Sequence, residues 1–167
     1  MLDIILLVLL PGSMAFAAAM DLLTMTIPNR IALVMLAAFF PAAFLASLGL
    51  PEIAAQLGTG LAVLLLGMGL FFCGWCGGGD AKLVAAIALW IGFDQLVTYL
   101  IYTAVAGGVL ATVLSMLRST PLPGVLLGET WAVRLHRRDT GIPYGIALAA
   151  GALLVYPYTF WFARLAG

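Results

Sequence analysis

Charge is what this sequence has least of. Of 167 residues only 8% are Asp, Glu, Lys or Arg, seven acidic against seven basic, for a formal net charge of zero. An ordinary soluble domain is about a quarter charged, so there are too few charges here to cover a water-facing surface. Sparse Lys and Arg exclude a basic patch for nucleic acid. A hydrophobic content of 65% excludes a disordered chain. With two cysteines and one histidine there is neither a disulfide-rich scaffold nor the four ligands of a structural zinc site.

What the sequence has in abundance is apolar runs. A spanning helix needs about 20 such residues, so the chain has length for about six spans with short connections and no room for a soluble domain. The expected architecture is an all-α membrane protein with a single transmembrane domain over 1–167. The spans read at 4–20, 31–50, 53–72, 81–93, 95–117 and 142–162. They are separated at Pro28-Asn29, Pro51-Glu52, the Gly77-Gly78-Gly79 run, Gly92 to Asp94, and the polar stretch after Arg118. The residues Phe16 to Ala19 resemble a signal-peptide cleavage region, but the leading flank carries Asp3 and no Lys or Arg, the wrong charge for an n-region.

The basic residues set the orientation. Arg30 lies in the first connection, Lys82 at the third, and Arg118, Arg134, Arg137 and Arg138 in the fifth, leaving Arg164 alone at the opposite face. The positive-inside rule then puts connections one, three and five in the cytoplasm and both termini on the outer side. Asp3, Glu52, Asp94, Glu129 and Asp139 all fall at span ends or in the fifth connection, where water explains them.

Asp21 and Asp80 are different. Asp21 closes the first apolar run, yet Leu22, Leu23, Met25 and Ile27 follow it before Pro28. A fourth helix from Asp80 to Phe93 covers only about 20 Å of a hydrocarbon layer about 30 Å thick, so it must begin inside the membrane. The Gly-rich segment before it reads as irregular backbone, which survives at that depth only where protein buries it or water reaches it. A wet pocket open to the cytoplasm, lined by both aspartates, follows. Each buried carboxylate costs on the order of 3 kcal/mol on insertion scales. Pairing of Asp80 with Lys82 or Asp21 with Arg30 is the structural alternative, weakened for Lys82 because residues two apart lie on different helix faces.

Two carboxyls a few Å apart in a hydrated pocket share one proton near neutral pH. One can take a proton from water while the other hydrogen-bonds the scissile carbonyl and then helps the amine depart. That is aspartic proteolysis, which requires no metal or cofactor.

The arrangement resembles a known family. Asp21 followed by Ile27-Pro28-Asn29, then Gly77-Gly78-Gly79-Asp80-Ala81-Lys82, and Ile142-Pro143-Tyr144-Gly145 at the last helix, is similar to the GxGD aspartyl peptidases that process type IV prepilins. The resemblance implies catalytic roles for Asp21 and Asp80, and close backbone approach at Gly77 and Gly79, which glycine permits. It implies positioning of Asp21 by Pro28 and Asn29, and a role for Lys82 open between charge tuning and interfacial anchoring. Pro143, Tyr144 and Gly145 carry over as substrate-contacting or helix-packing positions. The implied partner is a prepilin, held in the lipid by its hydrophobic helix and cut after a glycine on the cytoplasmic side. The implied location is the prokaryotic inner membrane. Larger members carry an insert with two CxxC pairs and N-methylate the product. This chain lacks that insert and resembles the short form found with Flp-type pili, so cleavage without methyl transfer is expected.

Four further readings complete the sequence. Cys73 and Cys76 read as packing beside the glycine run. In the fifth connection, Leu126, Leu127, Thr130, Trp131 and Leu135 read as one face of an interfacial helix, with Arg134, Arg137 and Arg138 toward lipid headgroups. Gly58, Gly60, Gly67, Gly69, Gly107 and Gly108 suit close helix contacts. From another functional class, a proton-coupled transporter or channel subunit could use Asp21 and Asp80 as relay groups, but no internal repeat is visible. The oligomeric state is not legible.

Overall fold

The computed structural model describes residues 2–166 of the chain, with side-chain environments from residue 8 to residue 164. Asp3 and the first residues of the first predicted span lie outside that side-chain range. Among the described residues the protein is all-helical, without strands. Seven α-helices follow in order: α1 (Leu2–Thr24), α2 (Asn29–Leu45), α3 (Leu50–Phe72), α4 (Gly78–Leu117), α5 (Thr130–His136), α6 (Gly145–Val155) and α7 (Phe160–Ala166). Two of them, α3 and α4, are long and apolar enough to cross a membrane.

Breaks in the helices follow local chemistry. α1 runs past the predicted end at residue 20 and stops where Met25 takes φ 55, its N–H donating to the Asp21 carbonyl at 2.8 Å. This is a left-handed C-terminal cap, and it makes Asp21 part of the last helical turn. Pro28, in the separation predicted between the first two spans, is the extended N-cap of α2. The fourth and fifth predicted spans form one 40-residue element broken at Gly92, whose φ of 76 and ψ of 174 are not helical. At 1.5 Å per residue the first arm, 78–91, is about 21 Å long. The predicted last span, 142–162, is not continuous. Pro157 cannot supply the N–H that would continue α6, so Tyr156–Tyr158 tightens into a 3-10 turn, and Thr159 restarts the chain as α7. In the fifth connection Leu126 and Leu127 fall in and just after a 3-10 turn, so only Thr130–His136 is helical.

The core lies where α1, α2, the first arm of α4, α6 and α7 meet. Trp90 and Trp161 are fully buried there with ring centroids 5.1 Å apart, and Phe39 packs edge-on against both. Each indole has a partner: Trp90 Nε1–H donates to Met35 O at 3.0 Å, and Trp161 Nε1–H donates to Trp90 O at 2.6 Å. The second bond occupies a carbonyl that the break at Gly92 would otherwise leave without a helical partner. Trp90→Ala removes a large buried ring together with a bridging hydrogen bond. It is expected to cost about 3–5 kcal/mol, read as a lowered thermal unfolding midpoint in detergent.

The glycines divide. A Cβ on Gly60 would lie 3.1 Å from Leu89 Cβ and one on Gly67 2.9 Å from Ala81 Cβ, so both let α3 approach α4 closely. Gly107 meets Tyr144 in the same way. Gly58, Gly69 and Gly108 have nothing within 4 Å, which corrects the expectation that all six serve close contacts.

Candidate active site

Asp21 sits at the end of α1 and Asp80 in the first turn of α4, 59 residues apart in sequence. The fold brings them together through Ile27. A Cβ built on Gly79 would lie 3.2 Å from Ile27 Cβ, and one on Gly145 would lie 2.9 Å from Ile27 Cδ1. Ile27 thus packs between the starts of α4 and α6, beside both aspartates. The two carboxyls are near enough to interact electrostatically.

Asp21 is only 6% exposed, and its Oδ2 accepts the main-chain N–H of Gly145 at 2.6 Å. Gly145 is the first residue of α6 after the N-cap Tyr144, so its N–H is one of the donors that a helix start leaves without an internal acceptor. A carboxylate there gains both the hydrogen bond and the positive end of the helix dipole. The contact depends on glycine, because a Cβ at 145 would lie 2.8 Å from Asp21 Oδ2 and 3.0 Å from Asp21 Cβ. Asp80 is half-buried and folds back over its own helix start. A Cβ at Gly77 would come within 2.8 Å of Asp80 Oδ2. Asp21 is therefore nearly closed off, and the more open approach is from the Asp80 side.

Among the described residues neither aspartate has a cationic partner. Lys82 Nζ donates to Asn29 Oδ1 at 2.9 Å, tying the start of α4 to the start of α2. The ion pair found among the described residues is Arg137 with Asp139, exposed in the fifth connection, where the Arg137 hydrogen bond holds the Asp139 carboxyl below its ordinary range. The alternative pairings of Asp80 with Lys82 and of Asp21 with Arg30 are not formed.

The remaining predicted positions divide by location. Pro143 is buried and Tyr144 exposed at the edge of α6, its hydroxyl against Gly107. Cys73 and Cys76 are free thiols, and Cys76 Sγ–H points to the Gly67 carbonyl at 3.6 Å. No group of three or more His, Cys, Asp or Glu able to hold a metal occurs among the described residues. Arg134 departs from expectation. Instead of facing headgroups it donates to Leu23 O at 3.1 Å, on one of the last carbonyls of α1, two residues beyond Asp21. Arg118 fastens the same connection by donating to Leu135 O and Gly141 O at 2.8 and 2.9 Å. Sequence reading missed both, since nothing in a lone arginine tells which distant carbonyl it will reach. It also missed the donor role of Gly145, although a glycine two residues after a proline at a helix start signals a backbone exposed for contact.

The apolar helical fold, with two helices long enough to cross a membrane, sets two carboxyls at helix starts as a candidate acid-pair centre, without a cation on either among the described residues. The chain belongs to the type IV leader peptidase family, whose model matches residues 8–112. It is thus a peptidase of the prepilin type. The matched stretch contains Asp21, Asn29 and the run from Gly77 to Lys82, but not Gly145. No curated protein and no solved structure matches the chain.

Proposed function

We propose that this protein is a six-span inner-membrane aspartic endopeptidase that removes the short leader from Flp-type prepilins at the cytoplasmic face, cutting after a glycine. The reading is carried by one observation: Asp21, in an apolar chain, is buried beside Asp80 on a backbone N–H from the other end of the sequence, with no cation on either acid among the described residues. Between the two carboxyls a single proton suffices. The ionised one accepts a proton from water as the water oxygen bonds to the peptide carbon. The protonated one donates to the carbonyl oxygen. Collapse breaks the C–N bond: the proton taken from water passes to the leaving amine while a hydroxyl of the tetrahedral diol gives its proton back to the other carboxylate as the carbonyl re-forms, which returns the pair to its starting state. Pro28, Asn29, Gly77, Gly79 and Lys82 support the pair by fixing how the starts of α2 and α4 meet.

Co-expression with candidate Flp-type prepilins tests this reading. The expected result is a gel-mobility shift to a product whose new N-terminus follows a glycine. An unshifted precursor with the protein inserted in the membrane contradicts it. Purified protein incubated with S-adenosylmethionine and cleaved pilin is expected to give no methylated product. Transfer of label to the pilin N-terminus would overturn the cleavage-only assignment.

A further inference from the structure

A cavity of about 580 Å³ lies between α2, α3 and the first arm of α4, on a face of α4 different from that of Asp80. Its sides are Leu33 and Leu36 from α2 and Leu57, Leu61 and Leu64 from α3, and its floor is made of small residues, Ala85 and Ala86 among them. Leu33 and Leu61 are exposed on its rim, so the cavity is open sideways. One end only is polar, and there Lys82 and Asn29 stand hydrogen-bonded to each other. Lys82 is exposed and has no acidic partner among the described residues. Asn29 accepts from Lys82 through Oδ1 and keeps its amide N–H groups as donors.

We infer that this groove binds an anionic phospholipid, the headgroup phosphate on Lys82 Nζ and the Asn29 amide and the acyl chains along Ala85, Ala86 and Leu89. Charge complementarity selects that occupant. An unneutralised cation capping an otherwise apolar, laterally open groove matches a molecule with an anionic head and hydrocarbon tails. The volume holds on the order of twenty groups the size of a methylene or a water molecule, enough for much of the tail length near the head. A polybasic contact at a membrane surface contributes about 1 kcal/mol per Lys, which corresponds to roughly five- to tenfold preference for an anionic over a zwitterionic lipid. The inference does not depend on the peptidase reading, because it rests on the groove and its Lys82–Asn29 end and is read by lipid retention without cleavage.

The test is native mass spectrometry of the full-length protein released from nanodiscs containing equal phosphatidylglycerol and phosphatidylcholine. Wild type is expected to retain phosphatidylglycerol with a five- to tenfold preference. Lys82→Gln is expected to lose the preference and Lys82→Arg to keep it. Leu61→Trp, which fills the groove from its exposed rim, is expected to lower retention of both lipids. Equal retention of the two lipids by wild type, or an undiminished preference in Lys82→Gln, overturns the assignment. So does photocrosslinking from position 61 to a prepilin helix with no lipid retained, which would make the groove a protein dock.

Discussion

Asp21→Asn is expected to abolish the proposed prepilin cleavage, and Asp80→Asn to do the same, each lowering it by at least the 10²–10⁴-fold that a positioned acid or base contributes. Both variants are expected to remain in the membrane fraction at wild-type levels. The expectation rests on geometry and stoichiometry. An acid pair needs one member to accept a proton while the other donates one, and an amide can do neither job at the required point of the cycle. Asp21 is the sharper case. Its carboxylate is 6% exposed and held at 2.6 Å by the Gly145 N–H, so an amide oxygen can keep that hydrogen bond and preserve the local fold while losing the chemistry. Rates are compared with reconstituted enzyme and a synthetic prepilin. A single variant that keeps full activity removes that residue from the catalytic assignment.

Gly145→Ala is expected to lower cleavage by about 10²-fold with little loss of folded protein, in line with the penalty for displacing a catalytic group by about an ångström. The added methyl would stand 2.8 Å from Asp21 Oδ2 and 2.9 Å from Ile27 Cδ1, so either the carboxylate swings off the α6 N-terminus or Ile27 moves away from Gly79. Either shift changes how Asp21 meets Asp80. Gly69→Ala is the matched control, because nothing lies within 4 Å of its added carbon, and its activity is expected to equal that of wild type. Equal activity in Gly145→Ala would show that the backbone contact to Asp21 does not position the acid.

Asp21 and Asp80 stand out in the sequence because of cost. In a chain with so few charges, an acid set among apolar residues has to be compensated, and the short apolar run after Asp80 is what raises the expectation that its helix begins inside the membrane. The break at Gly92 was legible for a similar reason, since a Gly followed closely by Asp interrupts an apolar run. The split of the last span was not read, although Pro157 stands within it, because apolar content on both sides of the proline masked the interruption. The docking of Arg134 on α1 was not legible, and for Gly145 the sequence signals an open backbone but not that Asp21 would be its acceptor. Both contacts join residues more than a hundred positions apart, and local patterns carry no information about which distant partner the fold brings.

The central claim is that Asp21 and Asp80 share one water-reached site. The most direct measurement is bridging of Asp21→Cys/Asp80→Cys, in a Cys73→Ser/Cys76→Ser background, by a short water-soluble bifunctional thiol-alkylating reagent in intact membranes, located by proteolysis and mass spectrometry. The account predicts an efficient intramolecular link between positions 21 and 80, absent from either single-cysteine protein. Thiols that fail to react, or that react separately without bridging, would contradict it.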